Sequence, residues 1–474
     1  MDLHDFKMLQ RRREFLKGVA GGIGMIALAD LLHAGSAAPV NPLAPKQPHF
    51  PAKAKSVIFM FMEGGPSQMD LFDPKPGLSK WSGQSLPPSM TKDLKLAFIK
   101  PTAAVLASPR QFKPSGSSGI EFSDYIPGIA SCADDLCLVR SMYTEAFNHH
   151  PGQLLLFTGS VQFGRPTFGA WTVYGLGSES QNLPGFVVLS SGTGTSGGAS
   201  NFSSGFMPSV YQGTTFRSSG DPILYVSNPP GITPETQRAG LDALRDLNAD
   251  HQAETGDLEI ASRIASYELA YRMQTAAPEL TDFSKESPAT LEMYGVNNEK
   301  TKQFGTNCLL ARRMVERGVR FVLMMHASWD QHTNLNKGLK SNCDATDQPT
   351  AALIKDLKQR GLLDSTLVVW GGEFGRTPMV EVRNTADPDG AGRDHHPLAY
   401  SMWLAGGGIK GAQVIGKTDD LGFNITEDKV HVHDLQATML QCLGFDHTRL
   451  TYRHMGRDFR LTDVSGEVVK KMLV

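Results

Sequence analysis

The 474 residues of the chain are enough to bury a large core, and a composition of 40% hydrophobic and 20% charged residues is that of a globular protein. Lys and Arg total 46 against 48 for Asp and Glu, with no basic run beyond the N-terminus, which excludes nucleic-acid binding through a phosphate-neutralising patch. Glycine and proline, at 48 and 28 residues, point to many turns and long loops rather than a helical bundle.

The N-terminus comes first in chain order. Arg11-Arg12-Arg13-Glu14-Phe15-Leu16-Lys17 precedes a weakly apolar stretch, Gly18 to Leu32, and then Ser36-Ala37-Ala38 before Pro39. Paired arginine, Phe-Leu-Lys and a small-residue cleavage site read as a twin-arginine export signal over residues 1–38. The twin-arginine translocase is therefore the expected partner during export, and the mature protein is expected in the periplasm or otherwise exported. The apolar stretch is too short and glycine-rich for a stable membrane span. Residues 39–55 read as a linker, and 56–465 as one α/β domain.

Ser56 to Met62 is a continuous apolar run, as expected of a strand buried on both faces, and it breaks into Glu63-Gly64-Gly65-Pro66. Similar runs recur at 136–141, 186–190, 319–325, 366–370 and 399–404. Residues 302–317 and 348–360 read as helices that stop at Gly318 and Gly361 and lead straight into the next strand. Helix, glycine stop and buried strand, repeated, is the pattern of a mostly parallel sheet flanked by helices. Residues 233–280 carry long helical periodicity and read as a helical insertion. Residues 74–120 and 192–220 read as long loops over the site end of the sheet.

The five cysteines have no CxxC spacing. They offer no disulfide framework and no cysteine zinc site; one bridge at most fits, with Cys132 and Cys137 the nearest pair. No haem or dinucleotide motif supports a redox enzyme.

Ligands of open parallel sheets bind outside the carboxyl ends of the strands. The residues that follow the buried runs are Glu63, Ser67 and Asp70; His326, Trp329, Asp330 and His332; and Glu373 and Arg376. Arg393, Asp394, His395 and His396 precede the last run. Carboxylates and imidazoles converging from separate strand ends suit a divalent metal, and two metals about 4 Å apart can clamp an in-line displacement at phosphorus or sulfur. Ser67 reads as a nucleophile or, more simply, as a helix cap, and Asp70 and Asp73 as ligands or turn formers. Arg376 could grip an oxyanion or pair with Glu373. His431 and His433 read as structural residues before Asp434, the expected cap of a helix over 435–443. Gly406 to Gly408 reads as a turn.

The order of these motifs resembles the alkaline phosphatase and sulfatase superfamily. Met62-Glu63-Gly64-Gly65 stands where sulfatases have an Asp-Asp-x-Gly turn, and His149-His150-Pro151-Gly152-Gln153, followed by Thr158-Gly159, has the spacing of their nucleophile motif. Glu373-Phe374-Gly375 and Asp434 to Leu440 match later motifs, and His395 stands where alkaline phosphatases place a late metal-binding histidine. The chain is more closely similar to an exported, sulfatase-like bacterial family of unknown function (domain of unknown function 1501), through Gly64-Gly65-Pro66-Ser67-Gln68, Gly164-Arg165-Pro166, Gly372 to Pro378 and Gly392-Arg393-Asp394-His395.

The resemblance implies an alkaline-phosphatase-like fold and a divalent ion (zinc, manganese or calcium) held by Glu63, Asp330, His332, Glu373 and His395. It implies hydrolysis of sulfate or phosphate esters, on a small molecule or a polysaccharide, with Arg376 or Arg393 holding the developing charge. His149 replaces the nucleophile, which excludes a formylglycine; it would be a nucleophile, a ligand or a general acid. Gln153 replaces an arginine of the sulfatase motif. The alternative is a superfamily member that has lost hydrolysis and acts as a binding or scaffold protein.

Overall fold

The computed structural model describes residues 41–474 except 92, 93, 95, 193–195, 218–221, 224–226 and 382–389; the expected export signal lies outside the described residues. Strand β1 (Ser56–Met62) is buried along its whole length. Ile58, Met60 and Met62 enter one hydrophobic cluster and Val57, Phe59 and Phe61 another, so β1 has a core on each face. A strand sandwiched in this way has no polar face to alternate with, hence its unbroken apolar run.

The strands that build around it are β2 (Leu136–Tyr143), β3 (Phe186–Ser191), β4 (Thr214–Phe216), β5 (Phe321–His326) and β6 (Thr366–Gly371). Then come β7 (Gly375–Glu381), β8 (Gly392–His396), β9 (Tyr400–Ala405), β10 (Gln413–Ile415) and β11 (Val430–His431). A nine-stranded sheet has the order β10-β2-β9-β6-β1-β5-β3-β4, with β11 also paired to β2. β7 and β8 form a separate antiparallel pair.

Helices α1 (His149–Thr158), α2 (Phe168–Leu176), α3 (Pro234–Thr255), α4 (Leu258–Thr281), α5 (Lys302–Glu316), α6 (Leu335–Gln359) and α7 (Val432–Cys442) complete the frame. α5 and α6 pack on the Ile58 face; α1, α2 and α7 pack on the Phe59 face. The expected sheet flanked by helices is what the chain forms. Within it β9 runs antiparallel to both β2 and β6, whereas the other described pairings of the sheet are parallel. The chain enters β9 directly from the β7–β8 hairpin, so β9 starts at the end of the sheet where its neighbours finish. That reversal carries residues 393–396 to the carboxyl ends of β1, β5 and β6.

The insertion is a hairpin of two helices, α3 and α4, broken at Gly256 and restarted by Asp257, whose carboxylate accepts from the Glu259 amide at 2.9 Å. α7 begins earlier than its sequence suggests. His431 is the N-cap, and the Asp434 carboxylate accepts from the His431 amide at 2.9 Å, completing a capping box. All five cysteines are buried and free, so the bridge that spacing would allow between Cys132 and Cys137 is not formed. Among the described residues no helix is long and apolar enough to cross a membrane.

Candidate active site

Met62 of β1 pairs with His326 of β5, and Phe61 with Gly371 of β6, so the three strands finish level. Past that edge they deliver Glu63, the segment Trp329 to His332, and Glu373. Gly64 lets the first turn press against the second: at φ 113° its Cβ would stand 2.4 Å from the Asp330 amide nitrogen, a clash no side chain could relieve. The β7–β8 hairpin pairs His395 with Arg376 and Gly392 with Glu381, bringing both strands to the same basin. α1 begins at His149 and points its N-terminus there.

Four side chains converge. His149, Asp330, His332 and His395 place ligand-type atoms within 4.8 Å of one another. His332 Nε2 lies 2.9 Å from His395 Nε2, and the two lie 2.8 and 3.3 Å from Asp330 Oδ1. The opposite nitrogens fix the tautomers. His395 Nδ1 donates to the Phe147 carbonyl at 2.7 Å, and His332 Nδ1 donates to the Glu381 carboxylate. A neutral ring that donates through Nδ1 carries its lone pair on Nε2. Two lone pairs therefore face a carboxylate oxygen that Arg376 already holds at 2.6 Å, an arrangement that a metal ion bound by the two imidazoles and the carboxylate would satisfy. His149 Nε2 is also buried without a hydrogen-bond partner, 3.3 Å from Asp330 Oδ2. The set fits a divalent ion, and its imidazoles suit zinc or manganese better than calcium, which takes oxygen donors. Carboxylate and carbonyl partners behind the rings are the orienting layer such sites need.

Charges in the basin are strongly coupled. Burial opposes ionisation of Asp330, but His149 and the Arg376 guanidinium beside it outweigh burial and hold the carboxyl far below the usual range. Burial likewise opposes a charged His149, yet Asp330 and Glu373 raise it to about 9. His395 is pushed below its ordinary value, chiefly by burial.

Glu63 and Glu373 stand on the other side of His149. Glu373 Oε1 accepts from His149 Nδ1 at 2.7 Å, and both its oxygens lie 3.2 Å from the Gly64 amide. Glu63 Oε1 accepts from the Ser196 amide at 2.6 Å. Gln153 joins the two, its Nε2 lying 3.0 Å from Glu63 Oε1 and 3.4 Å from Glu373 Oε1. These glutamates are thus held by protein donors, beside the His/Asp cluster rather than within it.

Arg376 and Arg393 are fully buried. Arg376 bonds the carbonyls of Gly64, Gly65 and Arg393, and its Nη2 lies 2.6 Å from Asp330 Oδ1; its carboxylate partner is Asp330, not Glu373. Arg393 pairs with Asp70 at 2.9 Å and bonds the carbonyls of Leu106 and Thr377. Burial would raise the Asp70 pKa, but Arg393 holds it below the ordinary value. Ser67 is the N-cap of the short helix Gln68–Leu71, yet its hydroxyl bonds Asp70 Oδ2 at 2.5 Å instead of a backbone amide. Asp73 pairs with Lys75 at 3.0 Å, away from the cluster.

Two parts of the site carry no signal in the sequence taken alone. Glu381 is an ordinary outer residue until the hairpin register brings it behind His332. The Phe147 carbonyl is invisible as chemistry. Asp394, noticed beside its histidine neighbours, accepts from the amides of Phe98 and Ile99 at 2.8 and 3.1 Å and so ties the 74–120 loop over the basin. Phe98 then lies with its ring 5.4 Å from that of His395, and Phe163 packs 4.9 Å from His150. Phe98 and Phe147 are 56% and 46% exposed beside His395, which leaves apolar rings at the mouth, and Phe163, 68% exposed, lies farther along α1 against His150.

The family described as "Protein of unknown function (DUF1501)" matches residues 54–473. The chain belongs to this family. No curated protein matches it. Solved structures similar to this DUF1501 chain include the PsFucS1 sulfatase from Pseudoalteromonas sp., at 11% identity and TM-score 0.35, covering 83% of this chain and 68% of that one. The alkaline phosphatase from the Antarctic bacterium TAB5 is 11% identical at TM-score 0.28, covering 76% and 92%. The lipoteichoic acid synthase LtaP from Listeria monocytogenes is 9% identical at TM-score 0.33, covering 88% and 78%. Likeness of this grade leaves the chemistry to be argued from the side chains themselves.

Proposed function

We propose that this DUF1501 protein is an exported, metal-dependent hydrolase of sulfate or phosphate esters that works without a formylglycine nucleophile. One observation supports the reading above the others: His332 and His395 turn their Nε2 atoms toward Asp330 Oδ1, an oxygen Arg376 also holds, with both rings anchored from behind through Nδ1. These three residues would hold the ion, with His149 at its edge. A bound divalent ion supplies Lewis acidity toward an ester oxyanion at neutral pH.

The remaining work falls to the chain's own groups. Glu373 holds His149 by Nδ1 and so aims Nε2 into the basin, where it hands a proton to the departing alcohol oxygen as a water oxygen bonds to phosphorus or sulfur; the proton that water releases restores His149. Arg376 positions Asp330, and Arg393 keeps Asp70 and the Leu106 segment in place. The N-terminus of α1 adds a favourable field for an anion. The phenylalanines at the mouth support an alcohol carrying a ring, as in a polysaccharide ester. Export rests on the Arg11-Arg12 signal, and replacing both arginines by lysine should leave the protein in the cytoplasm.

The test is metal analysis of the purified mature protein with a screen of phosphate and sulfate esters, beside Glu373→Ala/His395→Ala. Bound metal and turnover, both lost in the double variant, are expected. Metal-free protein whose stability the double variant leaves unchanged would remove the reading. A second reading, a binding or scaffold protein without turnover, is favoured by the way His149 is locked between Glu373 and Asp330. It predicts bound metal with no hydrolysis of any ester.

A further inference from the structure

Two metal ions can clamp both oxygens of an in-line displacement, and Glu63 and Glu373 are two buried carboxylates beside the His/Asp cluster, between which a second ion could be sought. The packing between them bears on that directly. Gln153 is fully buried, in the second turn of α1, and its side-chain amide cannot turn over. Its Oε1 accepts from the Gly197 amide and from Asn201 Nδ2, each at 2.9 Å. A flipped amide would set its NH2 against those two donors and its oxygen against two carboxylates, so the network assigns Nε2 to the glutamate side. Nε2 then donates toward Glu63 at 3.0 Å, with Ser196 Oγ at 3.0 Å and Glu373 at 3.4 Å as its other acceptors.

Position 197 reinforces the arrangement. A Cβ there would stand 2.4 Å from Gln153 Oε1, so the backbone approaches closely enough to lock the amide because the residue is glycine. The amide therefore occupies the space between the carboxylates. An ion bound to both glutamates would sit about 2.0–2.2 Å from their oxygens, inside the volume the NH2 group fills.

We infer that Gln153 is a specificity-determining residue which holds the site to one metal ion: its amide takes the place of a second cation between Glu63 and Glu373. The inference rests on the proposed metal site at Asp330, His332 and His395, and deepens it by assigning the ion count. It also gives Glu63 and Glu373 a role that needs no metal. They form an anionic clamp satisfied by an amide, the backbone N–H groups of Ser196 and Gly64, and His149, and through His149 that clamp orients the reacting edge of the basin.

The experiment is zinc stoichiometry of the mature protein after equilibration with zinc and gel filtration, read by elemental analysis and by isothermal titration calorimetry. The wild type should retain one zinc per chain. Gln153→Glu replaces the amide by a third carboxylate of the same shape and should raise the count to two. Gln153→Met removes the donor without adding a ligand and should also admit a second, weaker zinc. Two zinc ions in the wild type would overturn the inference while leaving the metal reading intact, and so would a count of one in both variants. If neither variant folds, the wild-type count still decides. A wild-type count of zero would overturn the metal reading itself and this inference with it.

Discussion

Asp330, His332 and His395 face one another through two imidazole nitrogens and a carboxylate oxygen, whereas Glu63 and Glu373, on the other side of His149, face the amide of Gln153. Both groups are acids and bases at the ends of the same strands; the glutamates are buried, whereas in the first group Asp330 is open to solvent beside two buried histidines. What separates them is whether protein donors satisfy every member: Arg376 reaches Asp330, but the inward nitrogens of His332 and His395 meet only each other and that carboxylate. The first needs something from outside; the second has been completed from within. Reactivity is expected where the chain leaves donors unmatched.

The same contrast extends to isolated carboxyls. Asp70 is buried with a guanidinium against it and is held below its ordinary pKa. Asp347 is buried with the Gly128 and Ile129 amides each at 2.7 Å and with Lys355 acting on it without an ion pair, and it rises from 3.8 to about 6, chiefly by burial. Two backbone N–H groups do not repay the loss of water; a paired opposite charge does.

The largest expected effect tests the satisfied side. Arg393→Met leaves Asp70 as an uncompensated buried charge and should cost about 3–5 kcal/mol in denaturant unfolding. The double variant with Asp70→Asn should recover most of it. Additive losses would mean that the pair does not act as a unit.

Asp347 gives the opposite dependence on pH. The folded state prefers its protonated form, so between about 4 and about 6 the native protein binds more protons than the unfolded chain. Its contribution is therefore lost as pH rises through that window, by about 3 kcal/mol at most. Relative to Asp347→Asn, the wild type should lose stability over that range in pH-resolved denaturant melts; a flat difference would mean that burial does not shift this carboxyl.

The unmatched side should answer to metal. At 100 times its Kd a ligand stabilises the folded state by about 2.7 kcal/mol. Zinc should raise the wild-type melting temperature accordingly and leave Asp330→Asn unmoved. The smallest effect lies behind His332, where Glu381→Gln should weaken zinc binding by about 10–100-fold with the fold unchanged. Equal affinity would show that Glu381 does not orient the ring.

Much of this was legible in the chain. Each buried strand announces itself by an apolar run without alternation, because both its faces are covered. His149 and Gln153 were legible as departures at the start of α1, and Asp330, His332 and His395 as residues at strand ends. The direction of β9 was not, since it depends on where the β7–β8 hairpin returns the chain. Nor was the division of the acids into two groups. That depends on Gln153 meeting Gly197 and Asn201 across a loop, and on Glu381 meeting His332 through a hairpin register. Such pairings are set by tertiary packing and leave no trace in local pattern.

The central claim is that imidazole nitrogens of His332 and His395, with Asp330, hold a metal at the strand ends. X-ray absorption spectroscopy of the zinc-loaded mature protein tests it most directly. The account predicts a nitrogen and oxygen shell with scattering from at least two imidazoles, reduced to one in His395→Ala. A zinc shell without imidazole scattering, or one unchanged by that substitution, would contradict it.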